Sequence, residues 1–288
     1  MNLNDIKIPS LAERAILVRL KRSMFQPYAY DSVQTTKIEA ESGVHKAGRF
    51  NKRLFLDCYE VKDTNAAFSD VYQFVQRNTT PWLDDGVRML PSAMYFDFTA
   101  GVRELIAVAK RKADNLASKW DTLVAQDLAR LKHLGDPKDY PTDIRARYDI
   151  GLKFLPVPTV NDFRVEISDD DRASLDSAIR EAEEGITKYL VSELLEPIKK
   201  AAEKLAVPIG HDGSFFRDSL FNNITEMVER AKKLNIMDDP TVSTLVTDIE
   251  RSVGKYALAP DLVREDIGAR NTAQSELEAI MSKMAGLF

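Results

Sequence analysis

Two kinds of residue in this chain could do chemistry: grouped carboxylates, and a basic N-terminal segment interleaved with aromatic rings. Asp84-Asp85, Asp97, Asp169 to Asp171 and Asp238-Asp239 are the acidic candidates. Paired carboxylates could hold the two magnesium ions of a nuclease or polymerase, which clamp the attacking and leaving oxygens. The groups at 169–171 and 238–239 sit where helices should begin, so capping and the positive helix end account for them without metal. Asp84-Asp85 follows Trp82 in the run Thr79 to Gly86, and turn chemistry accounts for that pair. A metal-dependent nuclease through Asp84, Asp85 and Asp97 is a distant third reading.

Other catalytic signatures are missing. The stretch Gly43 to Gly48-Arg49 lacks the Lys-Ser/Thr that would reach phosphate and magnesium in a nucleotide loop. Gly254-Lys255 is followed by Tyr256 and reads as a helix end. No serine-hydrolase elbow, paired-histidine zinc motif or calcium loop occurs. Cys58 is the one cysteine, and the three histidines are far apart. That excludes an internal disulfide framework and a cysteine zinc cage, and it suits a reducing cytosol. The reading is a buried, unreactive Cys58, no cofactor and no enzyme.

The basic segment has better grounds. Residues 1–55 hold ten Lys/Arg against five Asp/Glu, a net charge of +5, so a chain of net charge −5 carries −10 on the remainder. Arg19, Lys21 and Arg22 lie on or beside a strand, near Phe25, Tyr28 and Tyr30; Arg49-Phe50-Asn51-Lys52-Arg53 repeats the theme. Charge can neutralise phosphate while rings stack on bases. The competing reading is that this segment clamps onto the acidic body of its own chain, and both stay open at this level.

The elements that must position these residues are mostly helical. Alternation from Val18 onward predicts a strand over about 15–25. A short helix should run from a cap at Asp31 to a stop at Gly43, and another over about 63–78, with Val71, Phe74 and Val75 inward. After Pro91 a helix runs to Leu134 before Gly135. Its apolar positions Phe98, Val102, Leu105, Ala109, Ala113, Leu116, Trp120 and Leu123 step by three and four, close to a coiled-coil seam. Gly101 is a possible early interruption. A short helix should start at Pro141, and 152–167 reads as extended, with Pro156 and Pro158 fitting an edge strand. A helix capped by Ser168 should kink at Pro197 and end before Pro208. Three more should begin at Ser214, near Pro240 with Asp239 as cap, and near 261.

Several blocks resemble a family of bacteriophage and prophage proteins of about this length, for which no activity is established. They are His45-Lys46-Ala47-Gly48-Arg49-Phe50-Asn51-Lys52-Arg53-Leu54, the block from Pro81-Trp82-Leu83 to Tyr95-Phe96-Asp97, Asp139-Tyr140-Pro141, Phe154 to Val165, and Phe216-Arg217-Asp218-Ser219-Leu220. The resemblance covers most of the chain. It implies a genomic neighbourhood with MoxR-type AAA+ ATPases and von Willebrand A-type proteins, sometimes beside recombination genes, and hence partners of those kinds.

The expectation is thus a mainly α (α+β) fold of long antiparallel, coiled-coil-like helices with a small β element. Residues 1–60 would form a basic strand-and-helix region, integrated with a helical body at 61–288. No apolar run approaches the roughly 20 residues of a spanning helix, and the expected setting is the host cytoplasm, off the membrane. The first functional expectation is a non-enzymatic accessory protein that binds a protein partner, with self-association through the long helices open. The second is a nucleic-acid-binding accessory using Arg19, Lys21, Arg22, Arg49, Lys52 and Arg53. Trp82, Asp84 and Asp85 form a candidate motif loop.

Overall fold

Helix caps and apolar spacing build a mainly α protein with a small antiparallel sheet. A computed structural model describes residues 10–83, 86–159 and 168–287. The chain divides into two compact units. One comprises Met1–Arg19, Gln76–Phe98 and Lys153–Phe288, the other Leu20–Val75 and Thr99–Leu152. Each unit joins segments far apart in sequence.

The first unit is organised by four helices. α1 (Leu11–Arg14) opens with a reciprocal cap between Ser10 and Glu13. It leads into β1 (Ala15–Ser23), and β1 pairs antiparallel with β5 (Val87–Pro91), Ala15 facing Pro91 and Arg19 facing Val87. β4 (Thr80–Pro81) completes a hairpin with β5, and the sheet order is β4-β5-β1-β6, where β6 is Asp149–Pro156. An edge position is where Pro156 costs no ladder hydrogen bond.

α5 (Asp169–Ala206) starts at Ser168, whose hydroxyl accepts from the Asp171 amide, with three acids in its first turn. α6 is Ser219–Leu234, α7 is Pro240–Leu258 capped by Asp239, α8 is Pro260–Glu265, and α9 is Ile267–Ala285 capped by Asp266. α5 packs on α6 and α9, α6 on α7, and α7 on α9, so the four long helices close a ring. Leu190, Leu194, Ile198, Phe221, Ile224, Val228, Leu245, Ile249, Leu277 and Ile280 fill it. Arg270 of α9 is buried without a carboxylate. Its guanidinium donates to the Leu205 and Lys204 carbonyls at 2.9 Å and to Ser214 at 3.1 Å. It thereby satisfies terminal α5 carbonyls that have no partner within their own helix, and burial lowers its pKa.

The second unit rests on two antiparallel helices. α3 is Tyr59–Arg77, and α4 is Tyr95–Leu131. Lys119 meets Glu60 at 3.1 Å, Lys112 meets Asp63 at 2.6 Å, and Gly101 lies against Phe74. A Cβ at Gly101 would come within 2.7 Å of the Phe74 ring, so glycine permits this approach. Val102, Ala109, Ala113, Leu116 and Trp120 are buried, whereas Leu105 and Leu123 are half-exposed. The Trp120 end is closed by Phe25, Phe55 and Tyr140, whose neighbouring rings have centroids 5.0–5.9 Å apart. The α4 seam is therefore covered by the protein's own side chains around Trp120. A small excursion completes the unit: β2 (Tyr28–Tyr30), α2 (Ser32–Ser42) and β3 (Asn51–Arg53).

Several boundaries differ from the expected ones. Gly101 does not interrupt α4, and Pro197 lies inside a continuous α5. α3 begins at Tyr59, before 63. Pro141 starts no helix; short 3₁₀ turns instead cover Pro137–Asp139 and Ile144–Arg147, capped by Asp136 and Asp143. α6 begins at Ser219 rather than Ser214, leaving buried Phe216 in the connection. Gly254-Lys255 lies at the C-terminal end of α7, with Lys255 in its last turn. The last helix is two, parted at Asp266, whose carboxylate accepts from the Ala269 amide and starts a new helix. The expected strand at 162–167 lies outside the described residues.

Leu116→Asp would place an unpaired charge at a fully buried site, at a cost of roughly 3–5 kcal/mol. Leu123→Asp should cost clearly less, because that side chain is only half-buried, and Lys119→Ala should stay within about 0.5 kcal/mol. Chemical denaturation of the three variants checks the order; equal midpoints for Leu116→Asp and Lys119→Ala would contradict this packing.

Candidate functional site

The basic segment separates into residues that hold the protein together and residues that face outward. Lys52 belongs to the first group. Its side chain is only 5% exposed, with the ammonium 2.5 Å from the Asp139 carboxylate and 3.5 Å from Asp31. It also donates to the Leu134 carbonyl at 3.1 Å. Burial works against this charge, but Asp139 and Asp31 outweigh it and hold the Lys52 pKa above its ordinary value. Asp31, the α2 cap, has its pKa lowered by the Gln34 amide and by Lys52. Lys52 is thereby withdrawn from the nucleic-acid contact set expected of it: an ammonium enclosed by two carboxylates offers nothing to phosphate.

A second buried carboxylate lies close by in sequence and structure. Asp127 accepts from the Phe55 amide at 2.9 Å, the Tyr140 hydroxyl at 2.8 Å and the Arg130 guanidinium at 2.8 Å. Burial, and then Asp127 itself, push the Tyr140 phenol well above its usual range. Sequence reasoning did not place Asp31, Asp127 or Asp139 in any site. Lys52 and Asp139 are 87 positions apart, and no local sequence pattern marks them as partners.

The outward group sits on the excursion. In the β2–β3 ribbon Tyr28 faces Arg53, Ala29 faces Lys52, and Tyr30 faces Asn51. Alternation along the strands puts Tyr28, Tyr30, Asn51 and Arg53 on one face, with Ala29 and Lys52 on the other. Tyr28 is 57% and Tyr30 45% exposed. The Arg49 guanidinium lies over the Tyr30 ring, 4.3 Å from its centroid. α2 buries only Thr35, whose hydroxyl accepts from the Phe50 amide and donates to the Asp31 carbonyl. Val33 and Ile38 on α2, and Val44 just beyond it, are exposed.

The β1 cations do not form one group with these. Arg19 and Lys21 alternate on the exposed side of β1, and Lys21 pairs with Asp149 at 2.7 Å. Arg22 points to the other side, its guanidinium 4.5 Å from the Tyr72 centroid. The motif loop is also divided. Trp82 donates its amide to the Val87 carbonyl at 3.1 Å and packs against the helical core. Asp84 and Asp85 lie outside the described residues, and Asp97 is exposed in the first turn of α4. Among the described residues, no three His, Cys, Asp or Glu side chains gather where they could hold a metal ion. Cys58 is half-buried beside Glu60, and burial pushes its thiol pKa up. No helix of the described residues is long and apolar enough to cross a membrane.

Comparison with protein-family models, curated proteins and solved structures finds no match to this chain.

The Lys52 cluster generates a pH-dependent expectation. Lys52→Met leaves Asp31 and Asp139 without their cation and should destabilise the protein by roughly 3–5 kcal/mol at neutral pH. In the parent, the cluster contributes fully between the ordinary carboxylate and ammonium pKa values of 3.8 and 10.5. Its contribution fades as pH falls through the lowered Asp31 pKa, and as pH rises through the raised Lys52 pKa. Melting temperature measured across pH, parent against variant, checks both limbs; a variant that melts like the parent at pH 7 would contradict the assignment.

Proposed function

We propose that this is a non-enzymatic protein that acts by binding a protein partner through the β2–α2–β3 excursion. One observation carries the reading: an eleven-residue helix that buries a single side chain while Val33 and Ile38, and nearby Tyr28, Tyr30 and Val44, are exposed. Isolated helices of this length are marginal in water. Tyrosine and arginine are the side chains that anchor protein interfaces, and Arg49 over Tyr30 supplies such a pair. The resemblance to phage and prophage proteins points to the class of partner: an AAA+ ATPase or a von Willebrand A-type protein, for which this chain is an adaptor or assembly component in the host cytoplasm.

Affinity purification from the native host with quantitative mass spectrometry tests this, using the parent and a Tyr28→Ser/Tyr30→Ser/Ile38→Ser variant. All three side chains are exposed, so melting temperatures should agree within a few degrees. The expected result is retention of an ATPase or von Willebrand A-type protein by the parent, reduced at least about tenfold in the variant. Equal retention by both would remove the excursion from the interface.

A second reading is favoured by the same face. Two exposed tyrosines flanked by Arg49 and Arg53 form a small stacking platform, the chemistry that single-stranded nucleic acid requires. Arg49→Ala/Arg53→Ala, with Lys52 retained for stability, removes two potential phosphate contacts. On single strands that should flatten the slope of log affinity against log salt by about 1.4. A parent showing no salt-sensitive binding would leave the protein-partner reading alone.

A further inference from the structure

We propose that the first unit carries a nucleotide-binding cleft between the C-terminal end of α5 and the connection into α6. The cleft has a volume of about 410 Å³, within the roughly 300–1,000 Å³ of small-molecule sites. Lys200, Lys204, Phe215, Arg217, Ser219 and Asn223 are among its lining residues, and no carboxylate lines it. Three cations without an acid specify an anion; a ring, a hydroxyl and an amide beside them specify a ligand with a planar, polar portion.

The charges are left over after structural needs are met. Lys200 and Lys204 are one turn apart on α5 and therefore share a face. Lys200 makes only an exposed pair with Glu196 of its own helix. Among the described residues neither Lys204 nor Arg217 has an ion-pair partner, in a protein that pairs many of its cations. Lys204 is not needed to satisfy the end of α5, because Arg270 already donates to the carbonyls there. The acids nearest in sequence are engaged elsewhere: Asp218 pairs with Arg264, and Glu203 with Lys199.

On the aromatic side, the Arg264 guanidinium lies 5.8 Å from the Phe215 ring centroid, yet most of that ring stays in water. Phe215 is 70% exposed, whereas the adjacent Phe216 is buried against Phe221. A large ring held in water beside a basic cleft offers a stacking surface for a base, while Lys204 and Arg217 meet the phosphate. This chemistry is shared by a free mononucleotide and by one nucleotide of a single strand, and it is independent of the excursion in the other unit.

Isothermal titration of the purified full chain at low salt tests the cleft with four probes: adenosine monophosphate, ribose 5-phosphate, inorganic phosphate and a short single-stranded oligonucleotide. The variants are Lys204→Ala/Arg217→Ala and Phe215→Ala, with melting temperature as the folding control. The expected result is saturable binding of adenosine monophosphate, weakened at least about tenfold by the double variant. Phe215→Ala should weaken adenosine monophosphate about fivefold or more and leave ribose 5-phosphate unchanged. Tighter binding of the oligonucleotide, lost in the same variants, would identify a strand as the source of the nucleotide. No saturable binding of any probe, or binding unaltered in both folded variants, would overturn the proposal.

Discussion

A charge buried in a protein interior must be matched, and the enclosure of the Lys52 ammonium by Asp31 and Asp139 is the constraint on which the second unit depends. Each of its three members comes from a different part of that unit: Asp31 from the start of α2, Lys52 from β3, and Asp139 from the turn after α4. Two strands of three residues each could not hold a ribbon by hydrogen bonding alone, since an isolated hairpin is marginal in water. The ion cluster supplies the missing anchor. Asp127 repeats the device nearby, receiving the Phe55 amide and the Tyr140 hydroxyl beside the ring cluster around Trp120.

This anchoring explains why the excursion can present so apolar a face. Thr35 and Lys52 tie its inner side down, so Tyr28, Val33 and Ile38 stay exposed, with Tyr30 under the Arg49 guanidinium. The arrangement resolves part of the charge asymmetry between residues 1–55 and the rest of the chain. Lys52 and Lys21 are neutralised by Asp139 and Asp149. Arg22 and Arg49 are laid over tyrosine rings, where a cation retains its charge while losing conformational freedom. Lys52 and Lys21 are thus spent on internal carboxylates, while Arg53 shares the outward face of the ribbon with Tyr28 and Tyr30.

In the first unit Arg270 satisfies the carbonyls at the end of α5. Arg270 is buried among carbonyls, not carboxylates, which works because a guanidinium carries five donors in a planar fork and the end of α5 offers concentrated partial negative charge. Once those carbonyls are occupied, Lys204 is left over, and with Arg217 it gives the neighbouring cleft its cationic character.

Local chemistry made much of the helical architecture legible in the residues alone. Asp31 and Gly43 bound α2, Ser168 and Asp239 open α5 and α7, and the steps of three and four from Phe98 to Trp120 mark the inner face of α4. Caps and periodicity act within one or two turns, so neighbouring residues suffice to read them. Where tertiary contacts compete with such signals, the boundaries moved: Gly101 stays helical because Phe74 fits against it, and α6 waits until Ser219 because Phe216 is buried in the connection. The candidate sites were legible only as inventories of charge and rings. Whether Lys52 would contact a ligand or an internal carboxylate depends on Asp139, 87 positions away. Whether Lys204 would be free depends on Arg270 from another helix. Side-chain partners of this kind are set by three-dimensional packing, which alone decides which charges are consumed in holding the fold and which remain exposed.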